Sequence, residues 1–511
     1  MTRLIILICL VLMLFAVSAQ GQNDGRIKQL RKFNTFYSIL TSSYVDSIEY
    51  EKLVDRAIVD VLESLDPHST YYTAKEMASE NERMDGSFSG IGVEFNVIAD
   101  TIIVVNTIND APAAKAGLLA NDRIIEVDGV NVVGTKRGDV PKLLRGPKGS
   151  RVDLTIVRRN VAPQKYTLTR DDIPINTIDA SYMVNDSVGY VRINRFARTT
   201  FAEFLLAFHK LEQPTALILD LRGNGGGLLT EAISLSSFFL PEGRVIVSTE
   251  GEKMPPQTFK TNSDGMFLDG TVVVLIDESS ASASEIVSGA LQDWDRALIV
   301  GRPSFGKGLV QRQFMLDDGS AVRVTVSRYK TPSGRAIQRP FTPGDKEGYY
   351  RNHYKRYGHH DSIPEDAPRH STLLLGRTVY GGGGIYPDVY IERDTTNTSK
   401  YWAELVRTST LQDFVVKYID ENRKQLERQY PTFEEYMEEF DSQDMASDLI
   451  KFADKRGIKP DEQLSDKSNI AIQGQLKALL AQKLWSTNEY YRVYNALLDD
   501  DFATALEIIA E

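Results

Sequence analysis

Two residues of this chain carry the side chains for nucleophilic catalysis without a histidine: Ser282 and Lys307, 25 positions apart. A serine hydroxyl becomes an effective nucleophile when a base takes its proton, and a neutral lysine amine can be that base. The amine must first be uncharged. At the reference pKa of about 10.4, about one lysine in a few thousand is neutral at pH 7, so burial has to lower the value. Phe305, Leu309 and Val310 offer an apolar wall around Lys307, and Gln311 follows four residues on. That even offset predicts that both lie on one face of a strand, with the Gln311 amide oxygen orienting the amine without adding a charge that would hold its proton on.

The elements that must bring the pair together are legible nearby. Val272 to Ile276 is a short β-branched apolar run and predicts a buried strand. Ser280-Ala281-Ser282-Ala283-Ser284-Glu285 then opens a helix whose apolar face is Ile286, Val287, Ala290, Leu291 and Trp294. A second strand, Ala297 to Val300, leads to Lys307 in a Gly-flanked turn, so strand, helix and strand return the chain beside its start. Taken alone, Ser282-x-x-Glu285 is a helix capping box. Two other motifs overlap the base. Gly301-x-x-x-x-Gly306-Lys307 matches a phosphate loop, but Gly308 stands where Ser or Thr should hold magnesium, and Leu309 to Phe314 alternates like a strand instead of opening a helix. Ser304-x-x-Lys307 matches one signature of the penicillin-interacting enzymes, whose companion motifs are absent.

Upstream, Val188 to Ile193 and Ala216 to Leu221 read as strands joined by a helix around Phe201 to Leu211. Asp220-Leu221-Arg222-Gly223-Asn224-Gly225-Gly226-Gly227 follows the second strand and precedes a helix over 230–239. A strand that ends in glycines and opens a helix exposes amides to a negative group. This loop and the Ala283 amide are therefore assigned to an oxyanion hole, in which losing one donor typically costs about 3 kcal/mol of transition-state stabilisation.

The 511 residues and their apolar content suffice for three or four domains. A net charge of −11 argues against nucleic acid as a partner and against a basic membrane-binding surface. Arg3, the apolar run Leu4 to Val17 and the small residues Val17-Ser18-Ala19 read as a signal peptide over 1–19, cleaved after Ala19. The expectation is an exported, periplasmic or cell-envelope protein. The sole cysteine, Cys9, lies inside that segment, and Leu7-Ile8 before it do not suit a lipoprotein anchor. Residues 26–83 are helical in period, with Leu30, Phe33, Phe36, Tyr37 and Leu40 on one side, until Leu65-Asp66-Pro67-His68-Ser69 breaks the pattern. His68 reads as a turn residue there.

Over 84–170 the period changes to strands. The segments 90–95, 102–105, 124–127 and 152–157 surround a short helix closed by Gly117 and an Asp128-Gly129 hairpin turn. This stretch resembles a PDZ domain, with Gly90-Ile91-Gly92-Val93 at its carboxylate-binding loop, where glycines let amides converge on a terminal carboxylate and the strand edge pairs with a peptide.

Residues 171–392 hold the Ser/Lys segments and an insertion over 345–372. Its His353, His359, His360 and His370 lack a metal-ligand pattern and read as solvated. The glycine run Gly381 to Gly384, with no helix after it, predicts a tight turn or close backbone packing. Residues 393–511 form a helical extension with an apolar set of Trp402, Leu405, Phe414, Val415, Tyr418 and Ile419, able to cap the core, to form a homo-oligomer or to bind an adaptor.

From about Leu30 to Asp388 the chain resembles the carboxyl-terminal processing peptidases, the tail-specific Ser/Lys proteases of peptidase family S41. The most specific segments are Ser280 to Glu285 and Phe305-Gly306-Lys307-Gly308-Leu309-Val310-Gln311. The resemblance implies Ser282 as nucleophile, Lys307 as base with Gln311 as its partner, and oxyanion amides at Ala283 and at Gly227 or its neighbour Gly226. Gly225 stands where the family often has Pro or Ser, and Ser304 where Thr is usual. It also implies an α+β multidomain fold: a crotonase/ClpP-like αβ core with an inserted PDZ domain, between an N-terminal helical platform and the C-terminal extension. The expected function is an exported serine endopeptidase acting on protein or peptide substrates with free C-terminal tails, with no metal or other cofactor. The alternative is a noncatalytic PDZ adaptor built on a peptidase core.

Overall fold

A computed structural model describes residues 25–98, 100–108, 110–119, 121–158, 161–356, 363–393, 399–460 and 466–511. The signal segment, His359 and His360 lie outside the described residues. The strand Ala216–Asp220 is buried at every position and Thr271–Ile276 at all but its first. Runs that are apolar on both faces suit a parallel sheet covered on both sides. They form the centre of a six-stranded sheet in the order Ile178–Met183, Val188–Ile193, Ala216–Asp220, Thr271–Ile276, Leu298–Gly301, Val389–Tyr390. The first pair is antiparallel and the rest are parallel.

One face of this sheet is covered by the helices Thr200–His209, Leu229–Phe239 and Ala283–Asp293, which bring Phe204, Leu235, Phe239, Ile286 and Leu291 into one core. The opposite face is covered from the far end of the chain. Phe502 and Ala505 of the helix Asp500–Ala510 pack on Tyr190, Ile218, Val273 and Leu275. Because three neighbouring strands run parallel, the loops that begin at residues 221, 277 and 302 all leave the sheet along one edge, where α/β sheets place their sites.

A second sheet joins Leu309–Met315, Ala321–Lys330, Val245–Gly251 and Met254–Lys260 to the short N-terminal strand Thr70–Tyr72. Met254–Lys260 has no strand period because it contains Pro255 and Pro256. It lies at the sheet edge, where a missing amide donor is tolerated. The strand Thr70–Tyr72 pairs with Ala321 to Arg323 and so stitches the N-terminal helices to the hairpin that follows Lys307. Those helices span 25–43, Tyr50–Glu63 and Ala74–Asp85, and the apolar side of the first stays open, with Leu30 60% exposed.

The PDZ-like sheet runs Val93–Ile98, Thr101–Thr107, Arg123–Val127, Arg151–Val157, Gln164–Thr169. The chain enters and leaves it through the paired strands Ser87–Gly90 and Asp171–Pro174, as a domain inserted into another requires. One expectation is corrected. The segment after Tyr349 is not simply solvated: in the helix Lys346–Arg356, Tyr349 and His353 are 4% and 3% exposed, because their rings pack around Phe305. The C-terminal extension, besides forming its own helical core that includes Leu405, Phe414, Val415 and Ile419, supplies one layer of the central fold.

The ring of Phe502 meets that of Tyr190 edge-on at 5.6 Å. Phe502→Ala should therefore destabilise the central sheet by about 3–5 kcal/mol, measured as faster amide exchange in Ala216–Asp220; unchanged exchange would contradict a shared core.

Candidate active site

Ser282 stands at the start of the helix Ala283–Asp293 with φ +56° and ψ −108°, a region that a non-glycine residue occupies at a cost of about 1–3 kcal/mol. The strain is held by hydrogen bonds. The Ser282 N–H donates to Glu285 Oε2 at 2.7 Å, and the Glu285 N–H faces the Ser282 hydroxyl, which closes a reciprocal capping box. Within the Ser-x-x-Glu motif the carboxylate fixes the turn, and a hydroxyl that accepts at a cap still has its own proton to give.

Glu285 is fully buried, and its reach extends to the base loop. Oε2 also accepts from the Lys307 N–H at 2.9 Å, and Oε1 accepts from Gly306 N–H at 2.6 Å and from the Ser304 hydroxyl at 2.5 Å. Four donors on two oxygens match the capacity of an ionised carboxylate. Burial raises its pKa above the ordinary carboxylate value, and these hydrogen bonds hold back part of that rise. Ser304 is spent as a tether, since its oxygen also accepts from Ile385 N–H at 2.6 Å, so Ser304-x-x-Lys307 offers no second nucleophile. Tyr329 adds a second bridge by donating to the Lys307 carbonyl at 2.6 Å and approaching the Ser282 carbonyl at 3.3 Å. The backbones of nucleophile and base are thereby fastened to the same two side chains.

Lys307 is partly buried. Burial lowers its pKa, Arg323 lowers it further, and Glu285, Asp66 and Glu80 oppose them. The strand after it begins at Leu309 and bulges between Val310 and Gln311. The even-offset argument for Gln311 therefore does not apply, and its orientation has another source. Thr325 donates its hydroxyl proton to Asp66 at 3.1 Å and so accepts from Gln311 Nε2 at 3.3 Å, leaving Gln311 Oε1 as the free end.

Asp66 belongs to the turn that interrupts the N-terminal helices, where it also accepts from His68 N–H, Ser69 N–H and the Ser69 hydroxyl. His68 does more than shape that turn. Its ring meets Phe305 and Tyr349, its Nε2 lies 3.2 Å from Tyr349 Oη, and burial, followed by the charge of Lys307, lowers its pKa to about 3. An imidazole so weakly basic is a poor proton acceptor beside an amine.

The glycine loop reaches the serine through Asn224, which is fully buried. Its carbonyl accepts from Ala281 N–H at 3.0 Å and from the Ser284 hydroxyl at 2.9 Å, and its Oδ1 takes the Gly226 N–H at 2.9 Å. Gly226 has φ +94°, and a Cβ there would fall 2.8 Å from Ser282 Cβ and 2.9 Å from Ala283 N. With its amide occupied, Gly226 serves by being small. Gly227 bridges Phe196 through the neighbouring Gly226 carbonyl and Leu228 N–H, so its own N–H points away from Phe196. Of the sequence candidates for oxyanion donors, the Gly226 N–H is thus taken by Asn224, which leaves Gly227 and Ala283 as the candidates. Asn224, Tyr329, Asp66 and Thr325 carry no chemical signature in sequence; only their contacts single them out.

At the PDZ-like loop, Gly92 has φ +74° and a Cβ would meet that of Ala111 at 2.2 Å. The carbonyls of Ile91 and Gly92 accept from Ala113 and Ile108. Gly90 ends the entry strand, and Val93 begins a strand paired on one side only.

The profile of peptidase family S41 matches residues 187–345, and that of a PDZ domain matches 103–158. Residues 15–76 match the N-terminal domain of the activating protease CtpB, and 401–486 match a family of unknown function. A carboxy-terminal-processing protease of Bartonella bacilliformis is 39% identical over 336 residues, covering 64% of this chain and 77% of that protein. The chain belongs to peptidase family S41.

Among other relatives of this peptidase, carboxy-terminal processing protease CtpA of Bacillus subtilis is 36% identical over 311 residues, 60% of this chain and 66% of its own length. Similar solved structures include a photosystem II D1 C-terminal processing protease, with 26% identity, TM-score 0.37, and coverage of 71% of this chain and 87% of that one. The PDZ domain of a carboxy-terminal protease from Vibrio cholerae, solved with a peptide, is 36% identical, with TM-score 0.16 and coverage of 17% and 97%. The peptidase is an α+β protein with a PDZ domain.

Glu285→Gln would turn amide protons toward N–H donors. It should cost about 1–3 kcal/mol for each amide left unpaired and abolish cleavage of a disordered protein, as read by thermal unfolding and gel assay. A base works only when deprotonated, so kcat/KM should rise with pH through the lowered Lys307 pKa, with its midpoint below the ordinary lysine value of about 10.4. A midpoint at or above that value would contradict the burial argument.

Proposed function

We propose that this chain is an exported serine endopeptidase that captures protein C-terminal tails through its PDZ domain and hydrolyses them with a Ser282/Lys307 dyad. The observation that carries this reading is the Glu285 oxygen shared by the Ser282 and Lys307 backbone amides, which holds a strained serine beside the backbone of a lysine whose amine burial makes easier to deprotonate. Lys307 takes the proton of Ser282 Oγ, and the oxygen attacks the peptide carbonyl. The N–H groups of Ala283 and Gly227 bind the resulting oxyanion. The protonated amine returns a proton to the leaving amine, and water then releases the acyl group by the same route. Gln311 Oε1 orients the amine, with Thr325 and Asp66 fixing which end of that amide points inward.

Tail recognition is supported by the Gly90-Ile91-Gly92-Val93 turn at the head of an open strand edge, which suits a terminal carboxylate followed by strand addition. Export is supported by the residues over 1–19. None of these steps calls for a metal or nucleotide.

Ser282→Ala, Lys307→Ala and Lys307→Arg should each lose cleavage of a disordered protein while staying folded, the last because guanidinium keeps its proton. The products are mapped by mass. Hydrolysis retained by any of the three would remove the dyad, and tight tail binding by a wild-type chain that cleaves nothing would favour the adaptor.

A further inference from the structure

The last helix does more than cover the sheet. Its N-cap residue, Asp499, and Asp501 in its first turn lie where the catalytic loops are rooted. Arg222, the first residue after Leu221 in the glycine loop, is largely buried there, its side chain 12% exposed, with every N–H of its guanidinium engaged. Nε and one Nη2 proton go to Asp220 at 3.0 and 2.7 Å. Nη1 and Nη2 form a two-pronged pair with Asp499, both at 2.7 Å, and Nη1 also reaches Asp501 at 3.1 Å. Such forked pairs fix direction as well as distance.

Asp501 then crosses to the next loop. Its other oxygen accepts from Arg302 Nη1 at 3.1 Å, at the root of the segment that carries Lys307. Arg302 Nε in turn meets Glu278 at 3.3 Å, at the root of the turn that carries Ser282. Gly223 N–H donates to Asp277 at 3.0 Å, and the Arg222 carbonyl accepts from Arg192. The start of one helix is thus in contact, directly or through one arginine, with the roots of the oxyanion loop, the nucleophile turn and the base loop. The helix is itself fixed, because Phe502 N–H donates to Asp499 and Phe502 is buried in the core.

From this geometry we infer that Asp499 and Asp501 are positioning residues: the C-terminal extension is an intramolecular clamp that sets the oxyanion loop relative to Ser282 and Lys307. The inference rests on the peptidase reading. It assigns residues 393–511 a catalytic-support role, which simple burial of the sheet does not require. Arg222 is five residues from Gly227, and the intervening loop is a hydrogen-bonded unit: Gly223 donates to Asp277, Asn224 bonds Ile193, Ala281 and Ser284, and the Gly226 carbonyl accepts from Phe196. Freeing its root lets this unit shift as a whole, carrying Gly227 with it, and a displacement of about 1 Å can cost about 100-fold in rate.

The test uses the full chain with a disordered protein as substrate and a free tail peptide for the PDZ domain. Asp499→Asn keeps the helix cap and the shape but removes the charge facing Arg222. The expected result is a kcat lower by about 10- to 100-fold, with KM and tail-peptide affinity unchanged, the protein folded at the assay temperature, and Asp499→Glu recovering much of the rate. Should Asp499→Asn not accumulate as folded protein, Asp501→Asn, which gives up only single contacts to Arg222 and Arg302, carries the same expectation. A wild-type kcat in the folded variant overturns the clamp, as does a loss of rate that only follows the unfolded fraction. Wild type and Ser282→Ala run alongside. Absence of cleavage by wild type sinks the peptidase reading, whereas full activity in Asp499→Asn beside an active wild type sinks the clamp alone.

Discussion

A single buried carboxylate is the constraint from which the site is built. Glu285 is fully buried, so its charge is tolerable only while four donors converge on it. Those donors come from both the nucleophile turn and the base loop. The demand for satisfaction at Glu285 is therefore also a demand that Ser282 and Lys307 sit side by side. The same demand pins Ser282 at positive φ, which no intrinsic preference of serine would choose.

Around that centre the fold imposes a division of labour. The parallel sheet lets three loops emerge along one edge, and helices bury one of its faces. The second sheet pairs the strand after the turn Asp66 to Ser69 with the hairpin that follows Lys307, Thr325 of that hairpin links Asp66 to Gln311, and Tyr349 of the insertion packs on His68 and Phe305. Lys307 is tuned by opposing influences: burial and Arg323 favour the neutral amine, whereas Glu285, Asp66 and Glu80 favour the cation. That balance keeps the residue in the folded protein while leaving it able to take a proton.

Several features were readable from residue order because they depend on short-range patterns. The continuous apolar runs gave the central strands, the 3.6-residue period gave the helix after Ser282, and the Asp128-Gly129 turn and Gly117 marked the PDZ-like segment. Other features were hidden because their cause is distant in the chain. Met254–Lys260 became a strand only because an edge position forgives its two prolines. The tyrosine- and histidine-rich insertion looked solvated until Phe305 offered its rings a surface.

The sequence alone determined the chemical inventory: a serine and a lysine on turns beside buried strands, glycines that can expose amides, and a glycine loop before an edge strand, because side-chain type and local period require no partner. Tertiary structure decided what each member does. It made Glu285 a tether as well as a cap partner, gave Gly226 a steric role with its amide taken by Asn224, and tied Gln311 to Thr325 after a bulge broke the strand offset. It also brought Asp499 to Arg222 across 277 positions of chain. Hydrogen bonds and burial depend on distance in space, and a linear pattern holds no record of which distant groups will share an oxygen or exclude the same water.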